Sequence, residues 1–94
     1  MQTIQDRFED FHRDNPVVYE LLVRFARELH NSGRKRSGIR MVWERMRWEI
    51  AVNTVDRSSK FKLNDHYTSR YARLIMAREW DLRDFFEVRE IRAA

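Results

Sequence analysis

A compact, mainly helical single domain is predicted by three observations. Strong helix breakers are confined to Pro16, Gly33 and Gly38, so long stretches of chain can coil without interruption. Between those breaks apolar side chains recur three and four residues apart, which is the spacing of one helix face. The 94 residues, 43% hydrophobic and 13% aromatic, furnish one hydrophobic core but not a second, and that content excludes a disordered tail even though 36% of the residues are charged.

Thr3 is placed to cap a short first helix whose apolar positions are Ile4, Phe8 and Phe11. Asn15 is expected to cap the second helix, with Pro16 at its first position, where a missing N–H costs nothing. That helix runs to about Ser32, burying Val18, Leu22, Phe25 and Leu29, and Gly33 supplies the left-handed stop. After Arg34-Lys35-Arg36, Ser37 is expected to cap a third helix reaching roughly Asn53. It carries two apolar stripes at 100° per residue, Ile39, Val42, Trp43, Met46 and Ile50 on one side and Met41, Trp48 and Val52 on the other. Two apolar sides mean either a central helix sandwiched by its neighbours or a helix whose Trp48 stripe is kept for a dimer or another partner.

Residues 54 to 60 read as an exposed loop, and Phe61-Lys62-Leu63 alternates as a short edge strand does. Asn64 or Asp65 caps a fourth helix to about Glu79, with Tyr67, Tyr71, Leu74, Ile75 and the stem of Arg78 inward. The two tyrosines are expected in the core with hydroxyls near its rim, and Trp80 as a plug at a helix junction. Asp81 is expected to cap a last short helix with Leu82, Phe85 and Phe86, after which the chain turns extended and pairs with Phe61 to Leu63. The expected core is Val18, Leu22, Phe25, Trp43, Met46, Ile50, Tyr71, Leu74, Ile75 and Phe85.

Charge is segregated along this scaffold. From Asn31 to Arg78 twelve cations face four carboxylates, whereas residues 1 to 30 and 79 to 94 each carry two more acids than bases, giving +4 in all. A field concentrated in the middle of a small chain points to a polyanion, and nucleic acid is the commonest. The absence of cysteine removes disulfides and thiolate zinc sites and is compatible with a reducing compartment. No apolar run resembles a signal peptide or approaches the ~18 residues that span a bilayer, so the expectation is a cytoplasmic protein without a membrane partner.

Catalytic constellations are missing. His12, His30 and His66 fall on separate elements, without an HExxH pair or carboxylates at ligand spacing. Two glycines build neither a phosphate loop nor a nucleophile elbow, and Asp65, His66 and Ser69, neighbours on one helix, cannot aim at each other as a triad does. The reading is therefore a non-enzyme with no cofactor and no metal.

Two basic surfaces remain. At the junction of the second and third helices Arg34, Lys35, Arg36 and Arg40 gather near a helix N-terminus, which suits phosphate. On the fourth helix Ser69, Arg70 and Arg73 lie opposite the apolar stripe, as on a groove-reading helix, and Lys60 and Lys62 upstream can hold adjacent phosphates. With its short cationic link the arrangement resembles a helix-turn-helix or winged-helix module with at most two short strands.

The blocks FKLNDHYTSRYARLIM (Phe61 to Met76), GIRMVWERMRWEI (Gly38 to Ile50) and FHRDNPVVYELLVRFARE (Phe11 to Glu28) resemble a family of small uncharacterised proteins encoded by bacteriophages and prophages. The resemblance implies a phage origin and a bacterial cytoplasm. It leaves two functions to weigh. One is DNA binding, with the fourth helix as reader and Arg34 to Arg40 as clamp, on duplex DNA. The other is capture of a host protein through Met41, Trp48 and Val52; a homodimer is compatible with either.

Overall fold

The computed structural model describes residues 1–53 and 64–87. Four α-helices carry the fold: α1 (Ile4–Asp14), α2 (Pro16–Asn31), α3 (Ile39–Asn53) and α4 (Thr68–Arg78). A 3-10 turn (Asp65–Tyr67) leads into α4, and another (Trp80–Leu82) follows it. Two strands of two residues each, β1 (Ser37–Gly38) and β2 (Phe86–Glu87), pair in parallel, Ser37 with Phe86 and Gly38 with Glu87.

The helix starts follow local chemistry. Thr3 accepts from the Asp6 N–H at 3.1 Å while the Asp6 carboxylate accepts from the Thr3 N–H at 3.0 Å, a reciprocal capping box. Asn15 does not cap α2 with its side chain; that amide donates backwards to the Phe11 carbonyl at 3.1 Å, closing α1 instead. Pro16 makes the loss cheap, since it has no N–H to satisfy. Gly33, at φ +108°, ends α2 as expected. Asn64 accepts from the His66 N–H at 2.9 Å and so starts the 3-10 turn below α4.

Ser37 is a second correction. It stands in β1 and not at a helix cap: its N–H donates to the Phe85 carbonyl at 2.9 Å and its side chain is buried. The expected partner of β2, Phe61 to Leu63, lies outside the described residues. The ladder is parallel and ties the segment before α3 to the far end of the described chain, which is not the antiparallel hairpin of a wing.

The core gathers Leu22, Phe25, Trp43, Met46, Tyr71, Ile75, Leu82 and Phe85 from α2, α3, α4 and the segment after it. Phe8 of α1 closes one side, its ring edge-on to Tyr71 at 4.8 Å. Ile50 and Leu74 sit at the rim, only partly buried. Tyr71 is fully buried with its hydroxyl unpartnered, so that hydroxyl is not at the rim, and burial raises its pKa above the ordinary phenol range. Trp80 is exposed and plugs nothing; the Arg83 guanidinium stacks 4.0 Å above its ring.

Trp43 locks α3 to the base of α4. Its indole N–H donates to Asp65 Oδ1 at 3.0 Å, and its ring lies 6.1 Å from that of Tyr71. A second clamp joins α2 to the end of α4. Arg27 donates to Glu79 at 2.6 Å and to Asp81 at 2.9 and 3.1 Å, while the Tyr19 hydroxyl donates to Glu79 at 2.7 Å. Asp81 is thus an ion-pair partner and not a helix cap, and the Arg27 hydrogen bonds hold its carboxyl below the usual range.

Candidate nucleic-acid interface

The outer side of α4 is where the predicted basic residues meet. Tyr71, Ala72 and Ile75 are buried, and a turn of 100° per residue sends Arg70, Arg73 and Ala77 to the opposite side. Arg70 and Arg73 line a groove of about 320 Å³ with Leu74 of the same helix and with Gln5 and Phe8 of α1. Arg70 is half-buried there and its Nε donates to the Gln5 side chain at 3.0 Å, a neutral partner, and it makes no ion pair among the described residues. Ser69 is half-buried on the flank of the same face.

A second groove, about 470 Å³, is lined by Lys35, Arg36, Met76, Arg83, Asp84 and Phe86. Met76 follows Arg73 by three residues, so α4 lines both grooves within about one turn of its length. The cations thus fall in two grooves that α4 lines, Arg70 and Arg73 in one and Lys35, Arg36 and Arg83 in the other. Arg34 stays beside them, its Nε donating to the Arg36 carbonyl at 3.3 Å.

Arg40 does not join this group. On α3 it turns to Asp65, 3.8 Å away, and the four-cation cluster expected at the helix N-terminus is divided. Lys60 and Lys62 lie outside the described residues. Arg83 is the cation that sequence reading missed; the signal was its three-residue spacing from Trp80, which puts a guanidinium over an indole.

Of the described carboxylates that follow α4, two are drawn to α2 and one lies in the second groove. Glu79 and Asp81 are drawn to Arg27 on α2, and Asp84 reaches Arg83 only at 4.0 Å, highly exposed. Within α3, Arg45 pairs with Glu49 and Arg47 with Glu44. No group of three or more His, Asp or Glu that could hold a metal ion occurs among the described residues, and no helix there is long and apolar enough to cross a membrane.

The other candidate surface is α3. Its second stripe is not sandwiched: Met41, Trp48 and Val52 are 50%, 61% and 60% exposed. Beside it a groove of about 300 Å³ runs between α2 and α3, lined by Phe25, Glu28, Leu29, Ser32, Met41, Val42 and Arg45. Comparison with protein-family models, curated proteins and solved structures returns no match.

Between α1 and α4 lies one titrating group. The His12 ring stacks on Phe8 and meets Tyr19 and Tyr71 at an angle, with its Nε2 3.4 Å from Arg78 and its Nδ1 buried without a partner. Desolvation, and then the Arg78 charge, lower its pKa below 6.5. The unfolded chain therefore binds this proton more tightly, and stability falls as pH drops through about 6.5. Glu79 and Asp81, whose pKa values are depressed, lose their contribution only at lower pH. Melts at about pH 7.5 and 5.5 should show a loss for the native chain that His12→Phe largely removes; an equal loss in both would assign the effect to other groups.

Proposed function

We propose that this protein binds duplex DNA without catalysing a reaction on it, with α4 as the reading helix and the Lys35–Arg36 link as phosphate clamp. The observation that carries the reading is that α4 lines two cation-bearing grooves, one with Arg70 and Arg73 and one with Lys35, Arg36 and Arg83. Arginines on an exposed helix face present paired donors to base edges or phosphates, and flanking lysine and arginine set the helix on the backbone. Exposed Trp80 with its stacked Arg83 adds an aromatic plane at the end of the second groove. We further propose a phage or prophage origin and action in the bacterial cytoplasm, for which the resemblance of the three sequence blocks is the support. The rival reading, capture of a host protein, rests on the exposed stripe of α3.

The test is a titration against random duplex DNA across salt concentrations. Contact with roughly four to six phosphates gives a slope of log affinity against log salt near −4 to −5. Replacing Lys35, Arg36 and Arg83 together by alanine should flatten it by about 2 to 3. Binding independent of salt, or no binding at low salt, would overturn the reading.

A further inference from the structure

We propose that the outer face of α3 binds a second copy of this chain, as an antiparallel helix pair about a twofold axis. The proposal is independent of DNA binding. The other exposed large hydrophobics among the described residues, Met1, Ile4, Val17 and Trp80, are scattered over other elements. Among the described residues only Met41, Trp48 and Val52 form a line, seven and then four residues apart, which is a seam of helix-pairing type.

Self-pairing is favoured by the arrangement of charge. With the axis midway between Met46 and Arg47, Met41 faces Val52 of the second copy and Arg45 faces its Trp48. Each chain already makes the latter pairing internally, the Arg45 guanidinium lying 5.3 Å from its own Trp48 ring and 4.3 Å from Phe25. Across an antiparallel pair each flank meets its own equivalent. Glu44 then meets Arg47 of the second copy on one flank, and Arg45 meets its Glu49 on the other. These four residues pair within the single chain as Glu44–Arg47 and Arg45–Glu49, so the same charges can be shared across the axis. A face that alternates both signs in this way complements itself, whereas a partner of one charge sign would leave half of it mismatched. The groove between α2 and α3 opens beside Met41 and Arg45, on the flank where Val52 of the second copy arrives, and gives that side chain an apolar floor.

The contact is one helix face and its adjoining groove, at the small end of specific interfaces, so dissociation on the order of 10 μM is expected. Sedimentation equilibrium of the full chain, free of nucleic acid, from about 1 to about 500 μM should show monomer passing to dimer. Trp48→Glu should weaken the dimer by about 30-fold or more, because it removes the largest apolar side chain at the centre of the seam, and the Arg45 guanidinium that would meet the new carboxylate is already held by Glu49. Glu44→Arg sets arginine against arginine and should weaken it about tenfold; adding Arg47→Glu should restore it. The charge swap decides the matter without touching the apolar seam. A monomer at every concentration, a dimer indifferent to Trp48→Glu, or a failure of the double swap to restore association would each overturn the proposal, the first by handing the face to an unlike partner.

Discussion

Trp43→Ala is expected to cost about 3 to 5 kcal/mol, the largest loss of stability of any single truncation considered. Three effects coincide at this residue. The indole is fully buried, so its removal leaves a cavity between α3 and α4 that the packed neighbours cannot close. Its contact with Tyr71 is lost, and with it the anchor for the one core ring whose hydroxyl is already unpartnered. The Asp65 carboxylate loses the indole N–H that ties the turn below α4 to α3. In a domain of this size such a loss approaches the whole stability, and the thermal midpoint should fall by about 15 °C or more. Trp43→Phe keeps most of the volume and separates the hydrogen bond, which should account for about 1 kcal/mol. Leu74→Ala, at the rim, should cost clearly less than a fully buried leucine would, about 1 to 2 kcal/mol. If Leu74→Ala destabilised as much as Trp43→Ala, the inward side of α4 would be misassigned.

That contrast marks what could be read before the structure. Helix periodicity identified the stripe of α2 and the inward residues Trp43, Met46, Tyr71 and Ile75, because a 100° turn fixes which side chains share a face whatever lies opposite. It could not say which of two faces of α3 is covered. Met46 and Trp48 are equally apolar in sequence, and only the packing of α2 and α4 onto one side separates them. The capping errors have a similar cause. Asn15 and Asp81 are good cap residues by type, but each found a better partner, the Phe11 carbonyl in one case and Arg27 in the other. Local propensity cannot see a guanidinium arriving from another helix, as Arg27 does from more than fifty residues away. The β1–β2 ladder was illegible for the same reason, since two-residue strands have no period to detect. Of the basic surface, Arg70 and Arg73 followed from the helical turn, and the approach of Lys35 and Arg36 to the same helix did not.

Replacing both Arg70 and Arg73 by alanine is expected to weaken duplex DNA binding by about 2 to 5 kcal/mol, with each single change costing about 1 to 3. The two side chains line one groove, so their effects should not add fully. Replacing Arg70 alone should barely move the stability. Arg70 bonds to Gln5, itself exposed, and losing such a surface contact costs little. The comparison that gives the experiment its force is Trp48→Ala. On the DNA reading it leaves the intrinsic affinity of the α4 face intact, because Trp48 points away from the core on a different helix; on the host-protein reading it abolishes the cellular effect while the arginine changes do little. Any dimer through α3 adds a concentration dependence to DNA binding that Trp48→Ala would remove. The arginine effect should therefore be measured below about 1 μM protein, where the pair is dissociated. An arginine double variant that bound DNA like the native chain under those conditions would take α4 out of the reading role, whatever the behaviour of the clamp.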